Sequence, residues 1–196
     1  GEDEIWENYE YFIKKVKPVA ESAGVYIGIH PDDPPRSILG LPRIFSTQED
    51  VKALLEMVDN PANGVCFCAG SFSGRLDNNI VEMFKACAPR VGFIHLRSTQ
   101  HDSEGNFFEA NHLEGCVDMY GLVKAIIEEQ LRRKKEGRAD WQIPFRPDHG
   151  HTMLDDLSKP PCPNPGYTAI GRLKGLAEIR GLELGIIKSL YPEALA

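Results

Sequence analysis

An α/β fold built on a parallel sheet is predicted by two features of this chain of 196 residues. Helix-period segments and short apolar runs alternate from end to end, in the order α-β-α-β-α-β-α-β-α. Each apolar run also ends on a polar side chain able to bind a metal: His30 after VYIGI, Cys68 after VCF, His95 after VGFI and Asp148 after IPFRP. Alternation on this scale implies right-handed crossovers and parallel strands. The carboxyl ends of such strands converge on one rim, and in a (β/α) barrel that rim is where chemistry is done.

Residues 4–23 carry Ile5, Phe12, Ile13, Val16, Val19, Ala20 and Ala23 mostly at helical spacing, with Gly24 as the stop. Residues 25–30 form the first strand. Val25, Ile27 and Ile29 fall on one face and Tyr26, Gly28 and His30 on the other, so the apolar face suits covering helices and the mixed face a barrel interior. The loop PDDPPRSILGLPRIF follows. Ser46-Thr47-Gln48-Glu49 reads as a capping box for a helix continued by Val51, Leu54, Leu55 and Val58.

Asn60-Pro61 and Asn63-Gly64 mark a turn before a second strand, Val65 to Cys68, on which Cys66 and Cys68 share a face. AGSFSGRLDNN reads as a loop, with Asp77 or Asn78 capping a short helix through Ala88. The third strand runs from Val91 to Leu96, with Val91, Phe93 and His95 on one face. The polar segment RSTQHDSEGNFFEANHLEG reads as a loop, and the periodicity of Met119, Leu122, Val123, Ile126, Ile127 and Leu131 predicts a helix over 118–136. Ile143 to Asp148 is the fourth strand, a weaker signal because Pro144 and Pro147 flank its centre. A proline-rich loop over 158–165 and a helix from Ala169 to Leu190 complete the pattern.

Four units do not close a barrel of eight strands, and the first strand would keep an open edge, which proteins rarely tolerate. Residues 1–196 are therefore expected to form a single domain that is an incomplete barrel, or one whose sheet stays open or pairs with another copy. Gly1 leads straight into an acidic helix with no initiator methionine, which favours a piece of something larger.

Composition excludes several classes. The formal net charge of −7 argues against nucleic acid, whose binding rests on neutralising phosphates. The basic run LRRKKEGR at 131–138 reads as the solvated end of a helix, where cations complement the dipole. No apolar stretch approaches the ~20 residues of a membrane helix, mean hydropathy is −0.30, and the acidic N-terminus lacks a signal core. Five irregularly spaced cysteines do not form a disulfide framework and fit a reducing cytoplasm. Cys66 and Cys68 are too close for a structural zinc pair. No glycine-rich dinucleotide fingerprint follows any strand. Gly70-Ser71-Phe72-Ser73-Gly74 fails as a nucleophile elbow, because its glycines do not flank Ser71 correctly and no helix is expected directly after it.

Two imidazoles, a thiolate and a carboxylate make a credible divalent site, and the thiolate draws the preference toward Fe, Co or Zn. Any one of the four is most simply a satisfied core residue. Their shared strand-end position is what argues for one site. In Asp148-His149-Gly150-His151, a persisting strand would point Asp148 and His149 to opposite sides, so both reach the ion only through a bend. His149 is better placed as a general acid or base, and His151 either orients a neighbour or lies in the loop. Arg36, Arg97 and Arg172 are candidates for gripping an anion, Arg97 foremost because it follows His95. His112 is placed to reach a polyol, while His101 reads as surface.

Four strings then carry a resemblance: IGIHPDDPPRSILGLPRI, FIHLRST, FRPDHGHTMLDDL and NPGYTAIGRLKGLAEIRGLELGI. Together they resemble mannonate dehydratase, the family of hexuronate breakdown, and the likeness runs over nearly the whole chain. The resemblance implies a (β/α)8 TIM barrel of the xylose-isomerase-like type, of which this chain is roughly the second half. It implies a cytoplasmic lyase that removes water from D-mannonate to give 2-dehydro-3-deoxy-D-gluconate. Mn²⁺ or Fe²⁺ would be held by His30, Cys68, His95 and Asp148, with His149 catalytic and Tyr167 of the NPGY segment a proton donor or substrate contact. The partners implied are a small sugar acid, the missing N-terminal half of the barrel and further copies in a homo-oligomer. Two alternatives stay open: a metal-dependent sugar isomerase on the same barrel, and a non-catalytic half-barrel.

Overall fold

The computed structural model describes residues 1–195. Its elements run α1 (Glu2–Ser22), β1 (Ile27–Ile29), α2 (Gln48–Met57), β2 (Asn63–Cys68), the single-turn α3 (Ala69–Phe72), α4 (Ile80–Cys87), β3 (Val91–His95), β4 (Thr99–His101), β5 (Phe107–Glu109), α5 (Met119–Lys135), β6 (Phe145–Arg146) and α6 (Ala169–Leu190). Strands β1, β2, β3 and β6 lie side by side in that order, and every pairing is parallel. Among the described residues no helix is long and apolar enough to cross a membrane.

Helices cover one face of this sheet. Val65 and Phe67 of β2 and Ile94 of β3 point into a buried cluster with Leu54 of α2, Phe84 of α4, Leu122 and Ile126 of α5 and Ile179 of α6. Burying each such side chain contributes roughly 1.5–3 kcal/mol, so the crossover helices are held by the strands they connect. The other face carries His30, Cys66, Phe93 and His95, and strand alternation delivers the polar ends there.

One face assignment differs from the sequence expectation. Val91 packs in the core with Ile94, whereas Phe93 lies edge-on to His95 with ring centroids 5.5 Å apart. A register shift between Val65 and Cys66 separates them: Val65 pairs with Val91 but Cys66 with Phe93, so Gly92 is skipped. A bulge of this kind rotates the chain that follows it. Tyr26 lies across the gap. Its hydroxyl accepts from the Val65 N–H at 2.9 Å and donates to the Arg90 carbonyl. A Cβ on Gly92 would come within 2.2 Å of the Tyr26 ring, so only glycine fits under it.

Local chemistry moves several predicted boundaries. The capping box lies one residue later than expected: the Thr47 hydroxyl accepts from Asp50 N–H, and Asp50 Oδ2 accepts from Thr47 N–H at 2.8 Å. Asn79 rather than Asp77 or Asn78 caps α4. Asp77 is engaged by Arg75, and the Asn78 amide donates to the Ser46 and Phe72 carbonyls. The segment after Cys68 is helical from Ala69. Ser71 on it is fully buried, and its hydroxyl lies 3.2 Å from both Asp33 Oδ2, which can only accept from it, and Cys68 Sγ. The expected loop after β3 contains the antiparallel hairpin β4–β5. The fourth strand is cut to Phe145–Arg146, because its flanking prolines have no N–H to donate; the Pro144 carbonyl still accepts from Ile94 N–H at 3.0 Å.

The basic run is not wholly solvated. Arg132, Lys134 and Lys135 are exposed, but Arg133 is only 1% exposed. It donates to the Ala88 and Val91 carbonyls at 2.6 and 2.8 Å and to Glu129 Oε1 at 2.7 Å, clamping α5 to the start of β3. Burial pushes the Glu129 carboxyl up, but hydrogen bonds from Arg132 and Arg133 outweigh it and hold the group below the ordinary range. Removing one partner of a buried pair typically costs 3–5 kcal/mol. Since Arg132 still reaches Glu129, Arg133→Met is expected to lower unfolding free energy by about 3 kcal/mol in urea titration. A loss under about 1 kcal/mol would mean the clamp is not structural.

Candidate metal centre

The strand ends bring three donors together. A ring nitrogen of His30, Cys68 Sγ and a ring nitrogen of His95 all lie within 4.8 Å of one another. Atoms bound to one ion at about 2.0–2.3 Å stand at most roughly 4.6 Å apart, so the three need only small side-chain adjustment to share one. His30 is preorganised for this. Its Nδ1 donates to the Pro31 carbonyl at 2.7 Å, which leaves the Nε2 lone pair free, 3.2 Å from His95 Nδ1. Cys68 is fully buried. His95 turns its Nε2 toward Cys66 Sγ at 3.9 Å, and burial pushes that thiol up to about 11.

Asp148 joins from the end of β6. The strand does not persist to it: Asp148 has φ 68°, in the left-handed region that asparagine and aspartate tolerate best. That turn supplies the bend needed for neighbouring residues to face one place. Asp148 Oδ1 accepts from Arg146 Nη2 at 2.9 Å, while Oδ2 lies 3.5 Å from His95 Nδ1 and 3.7 Å from His149 Nε2. Two imidazoles and one thiol thus cluster as a set that fits a divalent transition metal, with the Asp148 carboxylate beside His95.

Around this cluster runs a polar network that the sequence did not announce. Glu109, at the end of β5, accepts from His149 Nδ1 at 2.7 Å. Arg97 donates through Nε to both Glu109 oxygens, at 2.8 and 3.0 Å, and through Nη1 to Asp33 Oδ2 at 2.5 Å. Burial pushes the Glu109 carboxyl up, but the His149 and Arg97 bonds prevail and hold it below the ordinary range. Burial alone would lower the Arg97 guanidinium, yet Glu109 and Asp33 raise it further above its usual value. Tyr167 completes the line, with its hydroxyl 3.2 Å from His149 Nε2. Burial and then the Asp148 charge push that hydroxyl upward.

The remaining candidates differ in exposure and in what they contact. Arg97 lies at the rim, but its guanidinium is committed to two carboxylates. His112 is buried, its Nε2 donating to the Pro147 carbonyl at 3.0 Å against Gly175, and burial lowers its pKa. That bond ties the loop after β5 to the residue before Asp148. Arg36 is exposed in the loop after β1, and His151 is exposed just past the turn. Arg172 covers the Tyr167 ring with 5.6 Å from guanidinium carbon to centroid. His101 donates through Nε2 to the Ser73 carbonyl at 2.8 Å.

A family model described as D-mannonate dehydratase (UxuA) matches residues 1–191. The chain belongs to the D-mannonate dehydratase family. Mannonate dehydratase 2 of Agrobacterium fabrum is 49% identical over 185 residues, covering 94% of this chain and 46% of the relative. A mannonate dehydratase of Marinomonas sp. is 47% identical over 189 residues, covering 96% and 48%. The chain therefore spans about half the length of the curated mannonate dehydratases it matches. The crystal structure of mannonate dehydratase from Streptococcus suis serotype 2 is similar with a TM-score of 0.84 at 36% identity, over 96% of this chain and 51% of that one. A xylose isomerase domain protein from Planctomyces limnophilus is similar in fold alone, with a TM-score of 0.51 at 16% identity over 87% and 50% of the two chains.

Proposed function

We propose that this chain is the catalytic half of a (β/α)8 barrel of the xylose-isomerase-like type, and that the whole converts D-mannonate to 2-dehydro-3-deoxy-D-gluconate and water in the cytoplasm. The observation that carries the reading is the cluster of His30, Cys68 and His95, with Asp148 3.5 Å from His95 and His149 beside Tyr167, in a member of this family. In this reading β1 and β6 meet the strands of an N-terminal half, and the barrel associates with further copies of itself.

His30, Cys68, His95 and Asp148 would hold Fe²⁺ or Mn²⁺, Fe²⁺ being favoured by the thiolate. When bound, the ion would supply Lewis-acid stabilisation of negative charge on the substrate carboxylate. The protein supplies the proton transfers. Neutral His149, with Nδ1–H given to Glu109, offers its Nε2 lone pair as the base for the C2 proton. Tyr167, whose hydroxyl stays protonated, gives a proton to the departing C3 hydroxyl. The C2–H and C3–O bonds break, the C2–C3 double bond forms, and one water leaves. The resulting enol takes up a proton at C3 and loses its C2 hydroxyl proton to water, becoming the 2-keto acid. The 3.2 Å contact between His149 Nε2 and Tyr167 lets the proton return between turnovers.

Incubation of the intact protein and Fe²⁺ or Mn²⁺ with D-mannonate and with aldoses tests the reading. It requires release of the 2-keto acid from mannonate alone; aldose–ketose interconversion without dehydration would replace it with the isomerase. Peroxide offers a second check. A thiolate at an Fe²⁺ site is oxidisable, and a sulfinic acid no longer ligates as a thiolate does. Peroxide is expected to inactivate the metal-free protein faster than the loaded one, with mass spectrometry placing the added oxygen on Cys68. Equal resistance of both forms would count against Cys68 as a ligand.

A further inference from the structure

We propose that Glu109 is a positioning residue that fixes the orientation and tautomer of the His149 ring, and that Arg97 and Asp33 hold Glu109 for this purpose instead of binding substrate. The proposal rests on the reading of His149 as the base. Its first support is hydrogen-bond polarity. A carboxylate only accepts, so the 2.7 Å contact from Glu109 Oε1 places the proton of the neutral ring on Nδ1. The lone pair is then on Nε2, the nitrogen that faces the Tyr167 hydroxyl at 3.2 Å and Asp148 Oδ2 at 3.7 Å. Nucleophile–base pairs elsewhere depend on a third group that orients the base in this way.

The second support is the rigidity of Glu109 itself. It stands at the end of a three-residue strand, a poor platform on its own. The Arg97 fork spans both its oxygens and sets the plane of the carboxylate, which aims the Oε1 lone pair at His149. Arg97 is in turn immobile. It is 6% exposed, its far nitrogen is held by Asp33, and its stem lies against the backbone of α3, where a Cβ on Gly70 would come within 2.3 Å of Arg97 Cγ. A guanidinium so enclosed has no spare fork for a substrate carboxylate. Asp33 also accepts from Ser71, whose hydroxyl reaches Cys68 Sγ, so the same chain of bonds ends at a candidate metal ligand.

The test uses the intact protein with ¹⁵N-labelled histidine, loaded with diamagnetic Zn²⁺ for spectroscopy and with Fe²⁺ for turnover. In the unaltered protein the His149 ring is expected to show a protonated Nδ1 and a bare Nε2. Glu109→Ala is expected to move the proton to Nε2 or to split the population. Its metal content per chain stays unchanged, and kcat on mannonate falls about 10–100-fold with KM changed less than threefold. Glu109→Gln keeps an acceptor oxygen and is expected to retain the Nδ1–H form with an intermediate kcat, which also covers failure of the alanine variant to fold. An unchanged tautomer in Glu109→Ala, a Nε2–H ring in the unaltered protein, or a loss confined to KM would each overturn the proposal. Absence of mannonate turnover in the unaltered protein would instead sink the dehydratase reading, and the tautomer measurement would still judge Glu109.

Discussion

Replacing His149 with Asn is expected to lower turnover of mannonate by roughly 10²–10⁴-fold, the usual worth of a placed general acid or base. Metal content should stay near that of the unaltered protein, because the four candidate ligands are other residues and His149 Nε2 lies no nearer than 3.7 Å to the Asp148 carboxylate. Asparagine keeps a short polar side chain but has no titrating nitrogen in the neutral range. A loss of metal in step with activity would reassign His149 to the coordination shell. Near-full activity would remove it from the mechanism. Tyr167→Phe gives the matching result on the other side of the contact, since it deletes only the hydroxyl that His149 faces.

Loss of a ligand should be at least as severe. Losing an outer hydrogen-bond partner of a metal site costs 10–100-fold in affinity or activity, and Cys68→Ala removes a donor atom itself. The expected outcome is substoichiometric metal at micromolar free ion and at least roughly 10²-fold lower turnover. Folding should be less affected. The variant leaves a cavity of one sulfur atom, a cost of about 1 kcal/mol. Asp148→Asn serves as the companion variant. It suits the left-handed backbone at φ 68°, so its effect reports on the lost charge and not on strain.

The strand ends were legible because each apolar run stops at a residue that water or an ion must satisfy, and period-two alternation fixes which face that residue takes. That logic places His30, Cys68 and His95 within one 4.8 Å cluster. It fails at Gly92, where a bulge under Tyr26 turns Val91 to the core; nothing in the local pattern marks a skipped residue. It could not place Asp148 and His149 on one side either, since the bend lives in a single backbone angle. The prolines and Gly150 around them were the available hint.

Glu109 and Asp33 were invisible for a different reason. Their partners lie far away along the chain: Arg97 is 12 residues from Glu109 and 64 from Asp33, and His149 is 40 residues from Glu109. Short strands such as β4 and β5 carry too few residues to show a period. Arg133, by contrast, had a readable signal. It continues the stripe of Leu122, Ile126 and Glu129 at helical spacing, and Glu129 precedes it by four residues. The surrounding charge of the run hid a buried residue among solvated ones.

X-ray absorption at the metal edge of the intact protein loaded with one equivalent of Fe²⁺ tests the centre most directly. The account predicts a single sulfur scatterer in the first shell together with nitrogen and oxygen donors, and loss of that sulfur in Cys68→Ala while the unaltered protein binds one ion per chain. A shell of oxygen and nitrogen alone in the unaltered protein, or a sulfur that persists in Cys68→Ala, would contradict it.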